Sequence, residues 1–565
     1  MGSPITVYTA KKIVTMDPSA PAATAVAVRD GMILGVGSVD DLKPWLESAP
    51  HEIVSDFAQK VLMPGLIDPH LHPFMAAAMM MSDLIVAFEW RLPWGTVKRT
   101  RGREAYLAEL RRIEAAKPDP SEPLVTWGYD PLWHGDVTRR DLDEISKTRP
   151  IVVWHRAAHQ MYLNSAALAH WSLTETEARG NPNVNYQEGH YWEAGMIELA
   201  APKMASFMFE PKRYLEGVSR VRDVVSFGGI TTIAEMSFGI TNADLEWLGP
   251  SRVLDTQDVP FRTYFVADAK TPAMTMGPEN SLAWADALPQ RNTSRLRFLR
   301  HVKLFADGAF YSQGMRLGGA CYIDGHSGEW MTPPALFEQL AALYWNAGYQ
   351  IHVHTNGDEA VGFVLQTLQK LLEGKPRFDH RFTIEHFGYC ASDQIRKLAR
   401  LGAIVSANPY YLYETGDAYS RVGLGADRAS QIARLASVAR AGVPLALHSD
   451  FAMAPAQPLL LAQIAATRRT AEGTTLCSEE ALTLDQALRG ITIDAAFVLG
   501  AENEIGSIAS GKRADFTVLE EDPYEAGAEH LSDIPISGTI FEGRPFEQRP
   551  TLTDASVTKE HRDDG

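Results

Sequence analysis

Short apolar runs alternate with longer amphipathic stretches through the middle of the chain. Seven of these runs are strand-like: Gly229–Ile233, Phe261–Val266, Arg300–Phe305, Gln350–His354, Phe382–His386, Ile404–Ala407 and Pro444–His448. Helical periodicity fills the intervals, for example at Pro334–Ala347, Asp358–Leu372, Ser392–Leu401 and Gln431–Ala441. Strands that alternate with helices in this way predict a parallel sheet with crossover helices, which is the α/β class.

An eighth apolar run comes much earlier and leads into the sequence GLIDPHLHP at residues 65–73. Together the eight runs supply the strands that a (β/α)8 barrel needs, and we place the barrel at residues 65–498. Residues 76–220 break the rhythm with helix Arg103–Ala116, strand Ile151–Trp154 and a Gly/Asn-rich segment. We therefore predict an insertion at about 76–220 that covers the mouth of the barrel.

Both ends of the chain are rich in strand signals. Ile5–Tyr8, Ala25–Val28 and Met32–Val36 are strand-like near the start, and a last strand is predicted near Gly538–Phe541. These ends predict one small domain built from residues 1–64 and 499–548. The charged tail at 549–565 is predicted to be disordered.

Composition narrows the classes of partner and compartment. The formal net charge of −17 argues against a nucleic-acid or anionic-membrane partner. The chain has 3 cysteines, too few and too scattered for a disulfide framework, which indicates a reducing, cytoplasmic compartment. We find no signal peptide and no apolar run long enough to span a membrane.

Candidate metal ligands stand at the ends of the predicted strands. His70 and His72 are two residues apart, so on a strand both imidazoles point to the same face. The other candidates each follow an apolar run: Lys303 in HVKLFADG, His354 in IHVHTNGD, His386 in FTIEHFGY and Asp450 in PLALHSDF. The carboxyl ends of barrel strands surround one cavity, and four imidazoles with a carboxylate suit Zn²⁺ or a similar divalent cation.

In these motifs the chain resembles the amidohydrolase superfamily. Within it, the sequence is similar to the amidohydrolase-3 or YtcJ-like branch, which includes N-substituted formamide deformylases. The resemblance covers nearly the whole chain and rests on AVAVRDGMILGVG, GLIDPHLH, HVKLFADGA, HVHTNGD, TIEHFGY, ALHSD and EIGSIASGKRADFTVL. It implies a distorted TIM barrel beside a small β-sandwich, a site for one or two metal ions, and a homodimer.

The resemblance also implies a role for each candidate ligand. His70 and His72 would bind the first metal with Asp450, and His354 and His386 would bind the second. Lys303 would bridge the two as an Nζ-carboxylated lysine, because an unmodified ammonium cannot ligate a cation and burial favours the neutral amine that takes up CO₂. Glu235, just after the second strand, is the alternative source of a carboxylate.

Three further residues share strand faces with these candidates. His352 and His448 each lie two positions before a candidate ligand, and we expect both to be hydrogen-bonded core histidines. Asp68 shares the face of His70, where a contact to a ligand imidazole is as plausible as a purely structural role.

The candidate substrate contacts are mostly aromatic. They are His155, His159, Trp127, Tyr129, His190, Trp192, Tyr410 and Tyr411, each of which has packing in the core or a place on the surface as its alternative. The segment AFYSQGMRLGG is bulkier and more aromatic than its counterpart in the branch. That departure concerns the substrate rather than the metal site. The apolar run Met75–Met81 beside His72 and the Trp and Tyr content of the insertion predict a small-molecule substrate with an apolar or aromatic portion.

The leading hypothesis is a metal-dependent hydrolase that cleaves the C–N bond of an amide or N-acyl compound. A metal-activated hydroxide would attack, and Asp450 would act as general base and then as general acid. Two alternatives stay open: a deaminase of the same superfamily and a non-catalytic binding protein. Such deaminases typically lack the bridging lysine and carry HxxE after the fifth strand, where this chain reads HTNGD.

Overall fold

The computed structural model describes residues 3–548, so the tail predicted to be disordered at 549–565 lies outside the described residues. The chain divides into two compact units. One is built from the residues up to 72 together with those from 222 onward, and the other from residues 73–221. None of the helices within the described range has the length and apolar character that crossing a lipid bilayer requires.

Eight parallel strands form a nearly closed barrel in the first unit. In the order of the sheet they are Leu66–Leu71, Ile230–Phe238, Arg262–Asp268, Leu296–Phe305, Gln350–Thr355, Thr383–His386, Ile404–Ala407 and Leu445–Leu447. The eighth strand meets the first through the backbone bonds from Asp450 N to His70 O, 3.1 Å, and from His72 N to Phe451 O, 2.8 Å. The predicted α/β barrel is confirmed.

The helices of the barrel unit follow its strands. They include Ala243–Gly249, Lys270–Met276, Pro278–Ala287, Pro334–Asn346, Asp358–Gly374, Ser392–Leu401, Tyr410–Ala418, Ala426–Ala429, Leu435–Arg440, Pro458–Thr467, Leu484–Gly490 and Ile493–Val498. Helix Ser392–Leu401 has its predicted bounds and ends at Gly402, whose φ of 69° suits glycine. The helix predicted from Gln431 begins only at Leu435, because Ala433 has a φ of 50° that no helix accommodates.

A second sheet of eight strands combines both ends of the chain. Its order is Arg544–Glu547, Ile536–Phe541, Phe516–Leu519, Val61–Pro64, Ile5–Val14, Ala22–Arg29 and Met32–Gly37, with His51–Val54 paired to Ile5–Val14. Residues at the start of Ile5–Val14 alternate between its two faces: Ile5 and Val7 join one apolar cluster, and Tyr8 joins another. A register shift between Thr9 and Ile13 then brings Ile13 into the cluster of Tyr8. The antiparallel pairing of Val61–Pro64 with Phe516–Leu519 joins the two ends, immediately before the first barrel strand.

Residues 73–221 form a unit with their own six-stranded sheet. Its order is Val184–Asn185, His190–Trp192, Gln160–Leu163, Ile151–His155, Leu124–Tyr129 and Asp83–Leu84. Helix Arg103–Ala116, which has its predicted bounds, contributes Leu107, Leu110 and Ile113 to the apolar cluster of this unit. The hairpin of Trp90–Leu92 and Gly95–Val97 was not predicted from the sequence. That this segment covers the barrel mouth stays a prediction.

A buried ion pair links the third barrel strand to the terminal sheet. The Arg262 guanidinium lies 2.5 Å from the Asp515 carboxylate, and both side chains are almost fully buried. The same guanidinium lies 4.7 Å from the centre of the Phe541 ring. Removing one partner of a buried pair leaves an uncompensated charge, which costs far more than an exposed pair contributes.

We expect Arg262→Leu to lower the free energy of unfolding by about 3–5 kcal/mol, because Asp515 then stays buried without its cation. The matched control is Arg300→Leu, whose pair with Asp286 is about half exposed and should contribute at most about 1 kcal/mol. Urea denaturation followed by tryptophan fluorescence measures both. Equal losses in the two variants would contradict a stabilising role for the buried pair.

Candidate metal centre

Side chains from the first, sixth and eighth barrel strands converge at the carboxyl end of the barrel. The His72 Nε2 atom lies 3.3 Å from Asp450 Oδ1, and the His70 Nε2 atom lies 3.6 Å from the same oxygen. His386 Nδ1 lies 3.8 Å from Asp450 Oδ2. Ligand atoms of His70, His72 and Asp450 all fall within 4.8 Å of one another, as do those of His70, His386 and His448. The arrangement brings together residues that are nearly four hundred positions apart.

Two of these residues have an unusual backbone conformation. His386 has a φ of 71° and Asp450 a φ of 57°, in the left-handed region that residues with a Cβ rarely adopt. Such conformations persist only where surrounding contacts impose them, and they concentrate at functional sites. At Asp450 those contacts include the backbone bond to the His70 carbonyl, which ties the candidate ligand to the strand that carries the other two.

Asp68, on the first strand, forms hydrogen bonds with the segment that follows the eighth strand. Its carboxylate accepts hydrogen bonds from the Ser449 hydroxyl and from the Ser449 backbone N–H, the latter at 3.2 Å, and a longer one of 3.5 Å from the His70 N–H. Burial raises the pKa of this carboxyl to about 7. Of the two roles that the sequence left open for Asp68, these bonds support the structural one, because they hold Ser449, the neighbour of Asp450, in place.

Lys303 is completely buried among the candidate ligands. Its Nζ atom lies 3.3 Å from His70 Nε2. Burial lowers the pKa of the lysine to about 8, against the opposing effect of Glu385 and Asp450. The neutral amine that carboxylation needs is thus far more accessible here than on an exposed lysine, whose pKa is about 10.4.

His354 lies beside the cluster but is held by another partner. Its ring centre is 4.4 Å from that of His386. Its Nε2 atom, however, lies 2.9 Å from the Asn356 amide nitrogen, which also donates to the Gly308 carbonyl at 3.2 Å. A ligand role for His354 stays a prediction, and it requires that this contact be given up or that the other ring nitrogen be used.

Two glutamates contact the far nitrogens of the paired histidines. His70 Nδ1 lies 2.8 Å from Glu385 Oε2, and His72 Nδ1 lies 3.1 Å from Glu235 Oε1. In both rings the contacted nitrogen is the one that does not face Asp450. Glu235, considered above as a direct source of a metal carboxylate, therefore contacts His72 on the side of the ring away from Asp450. Glu385 was not identified from the sequence, although it directly precedes His386.

The protonation states of His70, His386 and Asp450 suit a cation. At His72 burial lowers the pKa, but the carboxylates of Asp450 and Glu235 outweigh it and raise the pKa to about 9, so a cation bound there displaces a proton. Burial lowers the pKa of His70 and of His386 well below the usual range, and the nearby Lys303 lowers both further, so both rings are neutral. The pKa of Asp450 is lowered: burial raises it, but the close contact with His72 and nearby positive groups outweigh that effect. Neutral imidazole and ionised carboxylate are the forms that coordinate a divalent cation.

Several buried polar atoms here lack a hydrogen-bond partner among the described residues. They are His386 Nδ1, Asp450 Oδ1 and both ring nitrogens of His448. The expectation that His448 is hydrogen-bonded is therefore wrong: its ring instead stacks on His70 with the centres 4.3 Å apart. Buried polar groups are rarely left unpaired, and a cation at this point would satisfy the nitrogen and the oxygen at once. The residues present therefore fit a divalent metal ion.

Tyr410 and Tyr411, two of the predicted substrate contacts, begin helix Tyr410–Ala418. The Tyr410 hydroxyl is buried and donates to the Pro455 carbonyl at 3.0 Å. The Tyr411 ring stacks on Phe310 with the centres 4.2 Å apart, and it lies 6.2 Å from the His386 ring. The Tyr411 ring thus neighbours the candidate metal ligands.

The other predicted substrate contacts belong to the unit formed by residues 73–221, and contact with substrate stays a prediction for all of them. Trp127, Tyr129 and His155 are nearly inaccessible to solvent. His159 pairs with Glu193 at 2.9 Å. His190 stacks between two aromatic rings, with centres 4.2 Å from Tyr162 and 4.7 Å from Trp192.

Comparisons with known proteins agree with this architecture. The family model described as "Amidohydrolase family" matches residues 54–546. The chain is 24% identical to N-substituted formamide deformylase of Arthrobacter pascens over 563 residues, covering 94% of this chain and 96% of that protein. It is also 24% identical to the putative amidohydrolase YtcJ of Bacillus subtilis, covering 94% and 97%.

Among solved structures, an uncharacterised metal-dependent hydrolase from Pyrococcus horikoshii superposes with a TM-score of 0.70 at 19% identity, covering 93% of this chain and 99% of that chain. At this identity the likeness concerns the fold alone. Its near-complete coverage of both chains shows that the whole architecture is shared.

We expect Zn²⁺ to raise the thermal unfolding midpoint of the metal-free protein, because a ligand that binds only the folded state stabilises it. At a concentration of 100 times the dissociation constant the gain is about 2.7 kcal/mol. His70→Ala should abolish this gain, whereas His530→Ala, at an exposed histidine paired with Asp533, should retain it. A full zinc response in His70→Ala, measured by scanning calorimetry, would place the cation elsewhere.

Proposed function

Because the chain belongs to the amidohydrolase family, we propose that it is a metal-dependent hydrolase that cleaves the C–N bond of an amide or N-acyl compound. The family and branch expected from the sequence are confirmed by the family match and by the relatives. The observation that carries the proposal is the convergence of His70, His72 and Asp450 at one point of the barrel rim.

We assign the ligands as follows. His70, His72 and Asp450 hold the first divalent cation, which the nitrogen and oxygen donors suggest is Zn²⁺. His386 and His354 would hold a second ion, and Lys303, once carboxylated, would supply an oxygen ligand. When bound, the cation supplies Lewis-acid chemistry, polarising the substrate carbonyl and lowering the pKa of water towards about 7.

Asp450 moves the proton. Its carboxylate is ionised, since its pKa is lowered, and it stands at the centre of the cluster within 3.3 Å of His72 Nε2. It accepts the proton of the attacking water and delivers it to the nitrogen that leaves when the C–N bond breaks. His72 and the backbone bond to His70 hold the carboxylate in position for both transfers.

The substrate we propose is a small amide with an apolar or aromatic portion, such as an N-formyl or N-acyl amine. The aromatic rings of Phe310, Tyr311 and Tyr411 support this choice. Tyr411 stacks on Phe310, and the Tyr311 ring lies edge-on to the Tyr411 ring with the centres 5.1 Å apart. The segment that carries Phe310 and Tyr311 is bulkier and more aromatic than its counterpart in the branch. The formamide named for the Arthrobacter relative is of the same chemical class.

A cytoplasmic location and a homodimer complete the proposal. The free state of Cys321, Cys390 and Cys477 supports a reducing compartment. The acidic net charge of −17 supports a small-molecule substrate rather than a nucleic acid. The homodimer rests on the resemblance to the branch.

The proposed function is tested by a substrate screen in Zn²⁺ and in Mn²⁺ on N-formyl amines, N-acyl arylamines and N-acyl amino acids. We expect turnover of at least one class, and a loss of about 10²-fold or more in Asp450→Asn with the metal content unchanged, because the proton-transfer group is removed. Asp522→Asn, at a buried aspartate that pairs with Lys12 in the terminal sheet, is the control and should turn over normally.

Two outcomes of this screen would count against the proposal. Near-normal turnover in Asp450→Asn would rule out the proton-transfer role assigned to Asp450. If no amide is hydrolysed but ammonia is released from aminopurines or cytosine, the deaminase alternative would be favoured instead.

A further inference from the structure

A row of buried polar side chains runs through the barrel interior to the candidate metal centre. The Val498 carbonyl accepts a hydrogen bond of 2.8 Å from the Gln350 amide nitrogen, which also lies 3.1 Å from His352 Nε2. His352 Nδ1 lies 2.6 Å from Glu385 Oε1, and Glu385 Oε2 lies 2.8 Å from His70 Nδ1. His352, Glu385 and His70 are completely inaccessible to solvent.

The chemistry of the end groups determines the direction of every bond in this row. A backbone carbonyl only accepts, so the Gln350 amide nitrogen donates one of its two hydrogens to Val498. The other hydrogen faces His352 Nε2, 3.1 Å from the amide nitrogen, and the Thr383 hydroxyl oxygen, 3.3 Å from it. His352 Nε2 therefore accepts, and the proton of the ring is on Nδ1, from which it is donated to Glu385. His301 Nδ1, at 3.2 Å from the same His352 Nε2, is compatible as a second donor.

The remaining oxygen of Glu385 then determines which ring nitrogen of His70 carries the proton. A carboxylate accepts only, so His70 donates its Nδ1 proton to Glu385 Oε2. The Nε2 atom of His70 is left with its lone pair, and this is the atom 3.6 Å from Asp450. In the opposite tautomer an N–H group would face the cation and exclude coordination.

We propose that Glu385 is a positioning residue, which fixes His70 as an Nε2 ligand and is itself oriented by the row that starts at the Val498 carbonyl. The inference rests on the metal centre of the proposed function and extends it to residues that do not touch the metal. A carboxylate that accepts from the far nitrogen of a ligating histidine fixes the orientation of the ring and raises its basicity. Mutating such a carboxylate typically lowers metal affinity about 10- to 100-fold.

Glu235 makes a related contact to His72, the neighbouring histidine of the pair. Its bond to His72 Nδ1 is 3.1 Å, longer than the bond between Glu385 and His70. Glu385 accepts from two buried imidazoles, one on each oxygen, so neither its position nor that of His70 can change alone. We therefore assign the larger effect on metal affinity to Glu385.

The test measures the Zn²⁺ dissociation constant of the metal-free full chain by competition with a chelator. Glu385→Gln keeps the side-chain shape, but its single amide oxygen can accept from only one of the two imidazoles. We expect affinity to fall about 10- to 100-fold. Glu480→Gln is the control: this buried carboxylate binds Ser437 and Arg434, far from the histidines, and its loss should leave the affinity unchanged.

A second readout separates positioning from general support of the fold. Spectra of ¹⁵N-histidine-labelled, metal-free protein report which ring nitrogen carries the proton, with the His70 signal assigned by its absence in His70→Ala. We expect the Nδ1–H form in wild type, a mixture in Glu385→Gln, and recovery in Glu385→Asp, which keeps the charge. If Glu385→Gln does not fold, His352→Phe, which removes one donor to Glu385, should still weaken zinc binding measurably.

The outcomes distinguish this inference from the proposed function. Zinc affinity within twofold of wild type in Glu385→Gln and in His352→Phe, with the His70 tautomer unchanged, would overturn the inference and leave the hydrolase proposal intact. Absence of zinc binding by the wild-type chain would overturn the proposed function, and the inference with it.

Discussion

The structure depends on the burial of several titratable groups at one end of a barrel. His70, Lys303, Glu385 and His386 are almost completely withdrawn from water, although isolated buried charges are costly. Burial drives the imidazoles of His70 and His386 and the lysine towards their neutral forms. The hydrogen bond from His352 keeps Glu385 ionised, and the close contact with His72 does the same for Asp450. A divalent cation is the partner that this combination of neutral nitrogens and negative oxygens lacks.

The closure of the barrel brings these groups together. The first and eighth strands are joined by two backbone bonds beyond their regular ends, and Asp68 holds Ser449 beside them. Asp450 follows Ser449 in a left-handed conformation that turns its carboxylate towards His70 and His72. A fully regular ladder would have continued the strand and carried this side chain elsewhere, so the irregular seam is what assembles the site.

Much of this could be predicted from the sequence, because the signals are local. Strand Ile404–Ala407 and helix Ser392–Leu401 have their predicted bounds, and the motif-bearing residues lie at the strand ends where the barrel needs them. The branch resemblance added the ligand assignment. In the unit of residues 73–221 only isolated elements could be predicted. Its short strands lack the repeating strand–helix alternation from which a topology can be predicted.

The choice of partner for each ring nitrogen could not be predicted. Strand alternation places Glu385 and His386 on opposite faces, yet both contact the cluster, since the φ of 71° at His386 breaks the alternation. His354 Nε2 contacts Asn356, two positions away, although the spacing of the motif favoured the cluster. His448 stacks on His70 without a hydrogen bond. Each outcome depends on packing between segments that are distant in the sequence.

The most direct test of the central claim is an anomalous difference map from crystals of the zinc-loaded protein. The account predicts a peak at roughly 2.0–2.2 Å from His70 Nε2, His72 Nε2 and an Asp450 oxygen, with density for a carboxylate on Lys303 where a second ion is present. A zinc peak away from these three residues, or coordination through the Nδ1 atom of His70, would contradict it.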